Sequence, residues 1–265
     1  MMRHQPPDAS TLAFLVQLTR KAGDAVMAVY DRPGSGGVQT KADDTPLTEA
    51  DLASHRCLVA GLEGLLPGVP VVSEEDAASL GHRRPEGRFW LIDPLDGTKE
   101  FIARNGEFTV NVALVQDGRP VLGLVHAPVL DELFVGSSAG AEVHRGNAVH
   151  AISVRLPPPR PLRVVASKSH MNDETRDFIA ALGAHTLVQA GSSLKFCRVA
   201  EGVADCYPRL GPTAEWDTAA AQAVVEAAGG CVTTLDGLPL SCGKPELINP
   251  SFVASSRPWR QLVGG

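Results

Sequence analysis

The sequence predicts an α/β protein in two halves, an α+β half followed by one of alternating strands and helices. Three observations carry this. Residues 108–152 form short apolar-alternating runs separated by turns, the pattern of an antiparallel meander. The proline-rich segment Leu156-Pro157-Pro158-Pro159-Arg160-Pro161 then interrupts the chain. Beyond it, strand-length and helix-length apolar runs alternate, as in layered α/β domains. The halves are residues 1–156 and 157–265.

Composition sets the bounds. The chain has 265 residues, 44% of them hydrophobic, enough for a sizeable core. A net charge of -6 disfavours nucleic acid as a partner but permits a local basic pocket for a small anion. No apolar run is long enough to span a bilayer. Residues 1–10 are polar, carry Pro6 and Pro7, and lack the apolar core of a signal peptide. A cytoplasmic location is expected, with peripheral association with the inner membrane left open. The five cysteines (Cys57, Cys197, Cys206, Cys231, Cys242) have neither redox nor zinc-site spacing and read as reduced core residues.

Residues 10–30 place Leu12, Leu15, Val16, Thr19, Ala22, Val26 and Val29 at helical spacing, and Pro33-Gly34 ends that helix. A second helix is expected from Thr48, through Leu52, Val59, Leu62 and Leu66, to Pro67; Asp51 lies in its first turn, a position that also suits a purely structural charge. Lys41, before it, reads as a solvated loop residue. Val69–Ser73 reads as a short strand ending in the acidic run Glu74-Glu75-Asp76, and Ala77–Arg88 as a mobile loop. Trp90-Leu91-Ile92 is a buried strand that stops at Pro94 and turns at Gly97, leaving Asp93 and Asp96 where the strand ends.

After the meander and linker, a strand at Leu162–Ala166 leads through Ser167-Lys168-Ser169-His170 to a helix over 173–182. A strand at His185–Gln189 leads into Gly191-Ser192-Ser193-Leu194-Lys195. Small residues at such a turn can offer backbone N–H groups to a phosphate, or Ser192 or Ser193 can simply cap the helix. Val203–Tyr207 reads as a strand, and Asp217 opens an alanine-rich helix ending at Gly229-Gly230, where it too can serve as a cap. Strands at Cys231–Leu235 and Phe252–Ala254 close the chain.

Glu74, Asp93, Asp96 and Asp217 thus fall at element junctions. Clustered carboxylates repel unless protons or cations neutralise them. A set of oxygen donors without histidine or cysteine favours Mg²⁺ or Mn²⁺ over zinc. Two such ions can clamp a phosphoryl group, one activating water and the other steadying the leaving oxygen. Asp51 could accept the Thr98 hydroxyl proton, so that Thr98 orients that water.

The ordered set Asp51, Glu74-Glu75, Asp93-Pro94-Leu95-Asp96-Gly97-Thr98 and Trp216-Asp217-Thr218-Ala219-Ala220 resembles the lithium-sensitive, Mg²⁺-dependent phosphatase superfamily of inositol monophosphatases, fructose-1,6-bisphosphatases and bisphosphate nucleotidases. The resemblance covers nearly the whole chain and implies a layered α/β/α/β/α sandwich. Asp96–Ile102, Asn105–Asn111, Ser192–Cys197, and Tyr207-Pro208-Arg209 with Gly211-Pro212-Thr213 are most similar to CysQ-type 3′(2′),5′-bisphosphate nucleotidases. The resemblance implies two or three Mg²⁺ ions, replaceable by Mn²⁺, on Glu74, Asp93, the Leu95 carbonyl, Asp96 and Asp217. It implies that Asp51, Thr98 and Glu74 serve catalysis and that the Gly97 and Thr98 amides hold phosphate. Ser169, His170, Gly191, Ser192, Lys195 and Arg209 are the candidates for the second phosphate and the nucleoside, with Glu74, Leu95, Asp96 and Asp217 also facing substrate. The expected substrate is 3′-phosphoadenosine 5′-phosphate, with 3′-phosphoadenylyl sulfate as a second, in sulfur assimilation. A homodimer is compatible with the sequence. The alternatives are inositol monophosphatase or fructose-1,6-bisphosphatase activity, or a non-catalytic regulatory module.

Overall fold

The computed structural model describes residues 8–32, 39–40, 46–158, 160–166 and 171–262. Lys41, Ser169 and His170 lie outside the described residues.

Helix α1 (Ala9–Tyr30) starts at Asp8, whose carboxylate accepts from the Thr11 amide. Strands β1 (Gln39–Thr40) and β2 (Pro46–Leu47) pair antiparallel before α2 (Glu49–Leu62). α2 stops a turn before the expected end at Pro67, because the chain leaves the helical region at Glu63 and takes positive φ at Gly64. Next come β3 (Val71–Ser73), β4 (Arg88–Asp96), α3 (Thr98–Ile102), β5 (Thr109–Gln116), β6 (Arg119–Ala127), β7 (Glu132–Ser137), β8 (Gly140–Arg145) and β9 (Ala148–Ile152). They form one seven-stranded sheet in sequence order, with β3 and β4 parallel and all later pairs antiparallel.

Two local expectations are corrected. β4 does not stop at Pro94 but runs on to Asp96, with a register shift between Asp93 and Asp96 that accommodates the proline. The expected mobile loop at 77–88 contains a 3₁₀ helix over Ala77–His82 and is tied down by Arg83.

The second half contains β10 (Leu162–Ala166), α4 (Asp173–Ala181), β11 (His185–Gln189), α5 (Leu194–Ala200), β12 (Cys206–Arg209), α6 (Ala219–Ala227), β13 (Cys231–Thr234) and β14 (Phe252–Ser255). Its sheet has the order β11-β10-β12-β14-β13, parallel across the first three strands and antiparallel across the last two pairs.

Five layers result, α/β/α/β/α, because both sheets are covered on both faces. Alternate residues of β4 point opposite ways. Trp90 and Ile92 pack with Leu15, Val26 and Leu58 of α1 and α2, whereas Phe89 and Leu91 pack with Ala220 and Val224 of α6 in the middle layer. That middle layer also covers Phe252 and Ala254 of the second sheet. Val164 and Val253 face the outer layer, with Ile179 of α4. α6 seats so closely on the first sheet that a Cβ at Gly123 or Gly136 would overlap its backbone. This close fit seats the N-terminal part of α6 on β6 and its middle on β7. All five cysteines are free thiols. Among the described residues, no helix is long and apolar enough to cross a membrane.

Candidate active site

Asp51 is the third residue of α2 and completes a capping box. Its Oδ2 accepts from the Thr48 amide at 2.7 Å and the Thr48 hydroxyl at 2.6 Å. The structural use of this carboxylate is therefore real, and both capping contacts fall on one oxygen. The other, Oδ1, lies 3.4 Å from the Thr98 hydroxyl, which is also 3.4 Å from the Leu95 carbonyl. Asp51 is 1% exposed, and the capping contacts fix its carboxylate with Oδ1 beside Thr98.

The end of β4 supplies Asp93, Leu95 and Asp96. Asp93 is buried, and its Oδ1 accepts from the Leu95 amide at 3.0 Å. Gly97 has φ 90°, and a Cβ there would overlap the Ser192 hydroxyl, so the tight turn onto Thr98 requires glycine. Glu74 follows β3, and its amide donates to the Ile92 carbonyl at 3.2 Å, which sets it beside Asp93.

Glu74, Asp93 and Asp217 each present one carboxylate oxygen, all within 4.8 Å of one another. Burial first, then repulsion from Glu74, Asp96 and Asp217, pushes the Asp93 carboxyl well above the usual carboxylate range. Asp217 is pushed up by burial and by Asp96 and Glu74. This is the electrostatic signature of a cation site, and the donors are all oxygen, which suits a hard divalent ion. Asp217 is not the helix cap: Thr218 stands there, and the Asp217 Oδ2 accepts instead from the Ala214 amide at 2.8 Å.

Asp96 is held from the second half. Its Oδ2 lies 2.8 Å from the Ser193 hydroxyl, which is also 2.9 Å from the Asp217 carbonyl. Thr109 and Asn111, which pair with Asp96 and Asp93 across β4 and β5, reach the same oxygen at 3.3 and 3.5 Å. The Asn111 amide also donates to Ser193 at 2.9 Å. The sequence reading missed Ser193, Thr109 and Asn111 as site residues. The available signal was a polar Thr-x-Asn pair in a strand whose other residues up to Val115 are apolar and buried.

Ser192 has φ 45°, and its hydroxyl donates to the Asp96 carbonyl at 2.9 Å. Gly191 packs against Glu107, where a Cβ would approach the Glu107 carbonyl to 2.7 Å. A cavity of about 140 Å³ opens between Asp96, Gly97, Ser192, Lys195, Arg209 and Asp217. Lys195 lies 5.8 Å above the Tyr207 ring, and burial lowers its pKa, with Asp96 opposing and Arg209 adding to that shift. The Arg209 Nη2 donates to the Pro212 carbonyl at 2.9 Å. The lining of this cavity thus combines the carboxylates Asp96 and Asp217 with the cationic side chains Lys195 and Arg209.

Fold and site define a class, and the comparisons agree with it. The inositol monophosphatase family model matches residues 8–262, and the chain belongs to that family. It is 48% identical over 240 residues to the 3′(2′),5′-bisphosphate nucleotidase CysQ of Escherichia coli, covering 90% of this chain and 97% of that protein. It is 48% identical over 237 residues to the Salmonella typhimurium protein of the same name, covering 89% and 96%. Among solved structures, CysQ from Bacteroides thetaiotaomicron superposes with a TM-score of 0.80 at 40% identity, covering 94% of this chain and 98% of that one. An IMPase of Thermotoga maritima gives 0.76 at 27% identity, covering 95% and 94%.

Proposed function

We propose that this protein is a Mg²⁺-dependent phosphomonoesterase that hydrolyses the 3′-phosphate of 3′-phosphoadenosine 5′-phosphate to AMP. 3′-Phosphoadenylyl sulfate is a second substrate of the same shape. The observation that carries the reading is the carboxylate group of Glu74, Asp93 and Asp217, of which Asp217 lines one cavity together with Lys195 and Arg209. The 48% identity to nucleotidases supports the choice of a nucleotide over a sugar phosphate.

Glu74, Asp93, Asp96, Asp217 and the Leu95 carbonyl would hold the metal, with Mn²⁺ able to replace Mg²⁺. When bound, the ion supplies Lewis-acid activation of the phosphoryl group and of the attacking water. The chain's own residues do the rest. Asp51 accepts the Thr98 hydroxyl proton, which leaves the Thr98 oxygen free to accept from water and aim it in line. The Gly97 and Thr98 amides hold the scissile phosphate. Lys195 and Arg209 bind the second phosphate, while Ser192 and Gly191 shape the nucleoside side. Ser169 and His170 belong to the same substrate group. The first half, 1–156, supplies most of the carboxylates, and the second, 157–265, supplies the substrate pocket and Asp217.

The test is phosphate release in Mg²⁺ from 3′-phosphoadenosine 5′-phosphate, inositol 1-phosphate and fructose 1,6-bisphosphate, with and without Li⁺. A strong, Li⁺-sensitive preference for the nucleotide is expected. Preference for either other substrate overturns the pocket assignment, and no release from any of them overturns the catalytic one.

A further inference from the structure

Asn249 lies in the loop between β13 and β14 and is 6% exposed. Its Nδ2 donates to the Ala214 carbonyl at 2.9 Å and to the Thr218 hydroxyl at 3.0 Å. Its Oδ1 accepts from the Lys244 ammonium at 3.1 Å. These partners fix which way the amide points, because an ammonium can only donate and a carbonyl can only accept. Lys244 is held in turn by the buried Glu215, at 2.7 Å.

The backbone repeats the clamp. The Asn249 amide donates to the Thr213 carbonyl at 2.8 Å, and the Glu215 amide donates to the Leu247 carbonyl at 3.1 Å. Between them Ala214 pairs antiparallel with Ile248. Ala214 is therefore used at both ends. Asn249 holds its carbonyl, and its amide donates to the Asp217 Oδ2 at 2.8 Å. Through Ala214 and Thr218, one side chain grips the chain on both sides of Asp217. Asn249 does this without lining the cavity beside Asp96 and Lys195.

The grip matters because of the charge around Asp217. Asp96 and Glu74 both repel its carboxylate. A repelled acid swings away from its neighbours unless a donor holds it, and a metal ligand needs such an orienting partner. The Ala214 amide is that donor, and it is only as steady as the peptide that carries it.

We propose that Asn249 is a positioning residue for Asp217. It steadies the Ala214 segment, so that the Asp217 carboxylate stays turned towards Glu74 and Asp93 and takes its share of the divalent ion. The proposal rests on the metal reading given above.

Mn²⁺ binding, followed by electron paramagnetic resonance on the full chain, is the test. Asn249→Ala should weaken by about tenfold or more the same ion that Asp217→Asn weakens, within the range for groups that orient a ligand. In turnover, the Mg²⁺ concentration for half-maximal rate should rise by a similar factor, and excess Mg²⁺ should restore most of kcat. A merely structural asparagine would lower kcat at every Mg²⁺ concentration and leave Mn²⁺ affinity alone, and that result overturns the proposal. On the Asp217→Asn background, Asn249→Ala should change the remaining Mn²⁺ affinity by less than about twofold. A further loss of about tenfold there means that Asn249 acts through the fold at large, which also overturns it. If Asp217→Asn itself leaves Mn²⁺ binding as it was, the metal reading fails first and the positioning role falls with it. Asn249→Asp keeps the test sharp if Asn249→Ala does not fold. It retains the shape and an oxygen for Lys244 but offers the Ala214 carbonyl no donor. Its added charge favours a cation, so a loss of Mn²⁺ affinity in that variant reports the broken clamp, and unchanged affinity overturns the proposal.

Discussion

Glu215 and Asp217 stand two residues apart at the entry to α6, and the fold treats them in opposite ways. Glu215 is fully buried and saturated. It accepts from the Gly243 amide at 2.8 Å, the Lys244 amide at 3.0 Å and the Lys244 ammonium at 2.7 Å, and Arg83 pairs with it at 3.0 Å. Asp217 has the Ala214 amide and the attraction of Arg209, and these are outweighed by burial and the repulsion of Asp96 and Glu74. One carboxylate is neutralised by the chain's own cations and ties the segment after Glu74 to the loop before β14. The other is left for a cation from outside. Burial alone does not separate a structural acid from a functional one; the balance of charge around it does.

The contrast can be broken first at its functional end. Asp93→Asn removes a carboxylate from the centre of the repelling group. Phosphate release at saturating Mg²⁺ is expected to fall about a thousandfold, since a Lewis-acid contribution of several kcal/mol corresponds to about that factor. The melting temperature in EDTA should rise, because one repelling charge is gone. Near-normal turnover would falsify the cation assignment.

The structural end breaks the other way. Glu215→Gln leaves Arg83 and Lys244 facing a neutral amide and should cost about 3 kcal/mol or more in urea unfolding, the usual scale for breaking a buried pair. Asp217→Asn should raise stability when measured in EDTA. If both variants move stability in the same direction there, the distinction between the two acids is lost.

Acid titration sharpens the same contrast. The folded-state pKa values of Asp93 and Asp217 are raised, so their neutral forms are favoured in the fold. The metal-free protein is penalised above those values and relieved as pH falls through them. His126 acts oppositely. It is 4% exposed, its Nδ1 has no partner among the described residues, and burial lowers its pKa to about 4 from 6.5. The unfolded chain takes up that proton first, so stability falls between pH 6.5 and 4 by about 3 kcal/mol. Urea unfolding across that range should show the loss in the wild type and its absence in His126→Leu, with Mg²⁺ present to hold the carboxylates ionised.

How much of this was legible in the sequence follows from the range of each interaction. The two halves, the meander and the carboxylates at junctions are written locally, in apolar periods and in the run from Asp93 to Thr98. The path of β4 through Pro94 was not legible, because it depends on the partner strand β5 absorbing a register shift. The anchoring of residues 77–88 was hidden for the same reason: Arg83 meets Glu215 across 132 positions of chain. The role of Glu215 was equally hidden. In Ala214-Glu215-Trp216-Asp217 both acids look alike, and only the folded arrangement brings Arg83 and Lys244 to one of them.

Ser193 is the finest case of this kind and carries the smallest expected effect. As a sequence it reads as a helix cap, yet it makes no capping bond. Its hydroxyl lies between the Asp96 carboxylate and the Asp217 carbonyl and receives the Asn111 amide, so it joins two acids from opposite halves. Outer partners that orient a metal ligand typically change affinity 10- to 100-fold when removed. Ser193→Ala is expected at the lower edge, a loss of about tenfold in Mn²⁺ affinity read by electron paramagnetic resonance, because Thr109 and Asn111 still reach Asp96. A merely structural serine would lower the melting temperature in EDTA and leave Mn²⁺ affinity alone. A positioning serine does the reverse, and Ser193→Thr, which keeps the hydroxyl, should restore much of the affinity. The outcome decides whether the join between the halves orders the acids or only packs the helix beneath them.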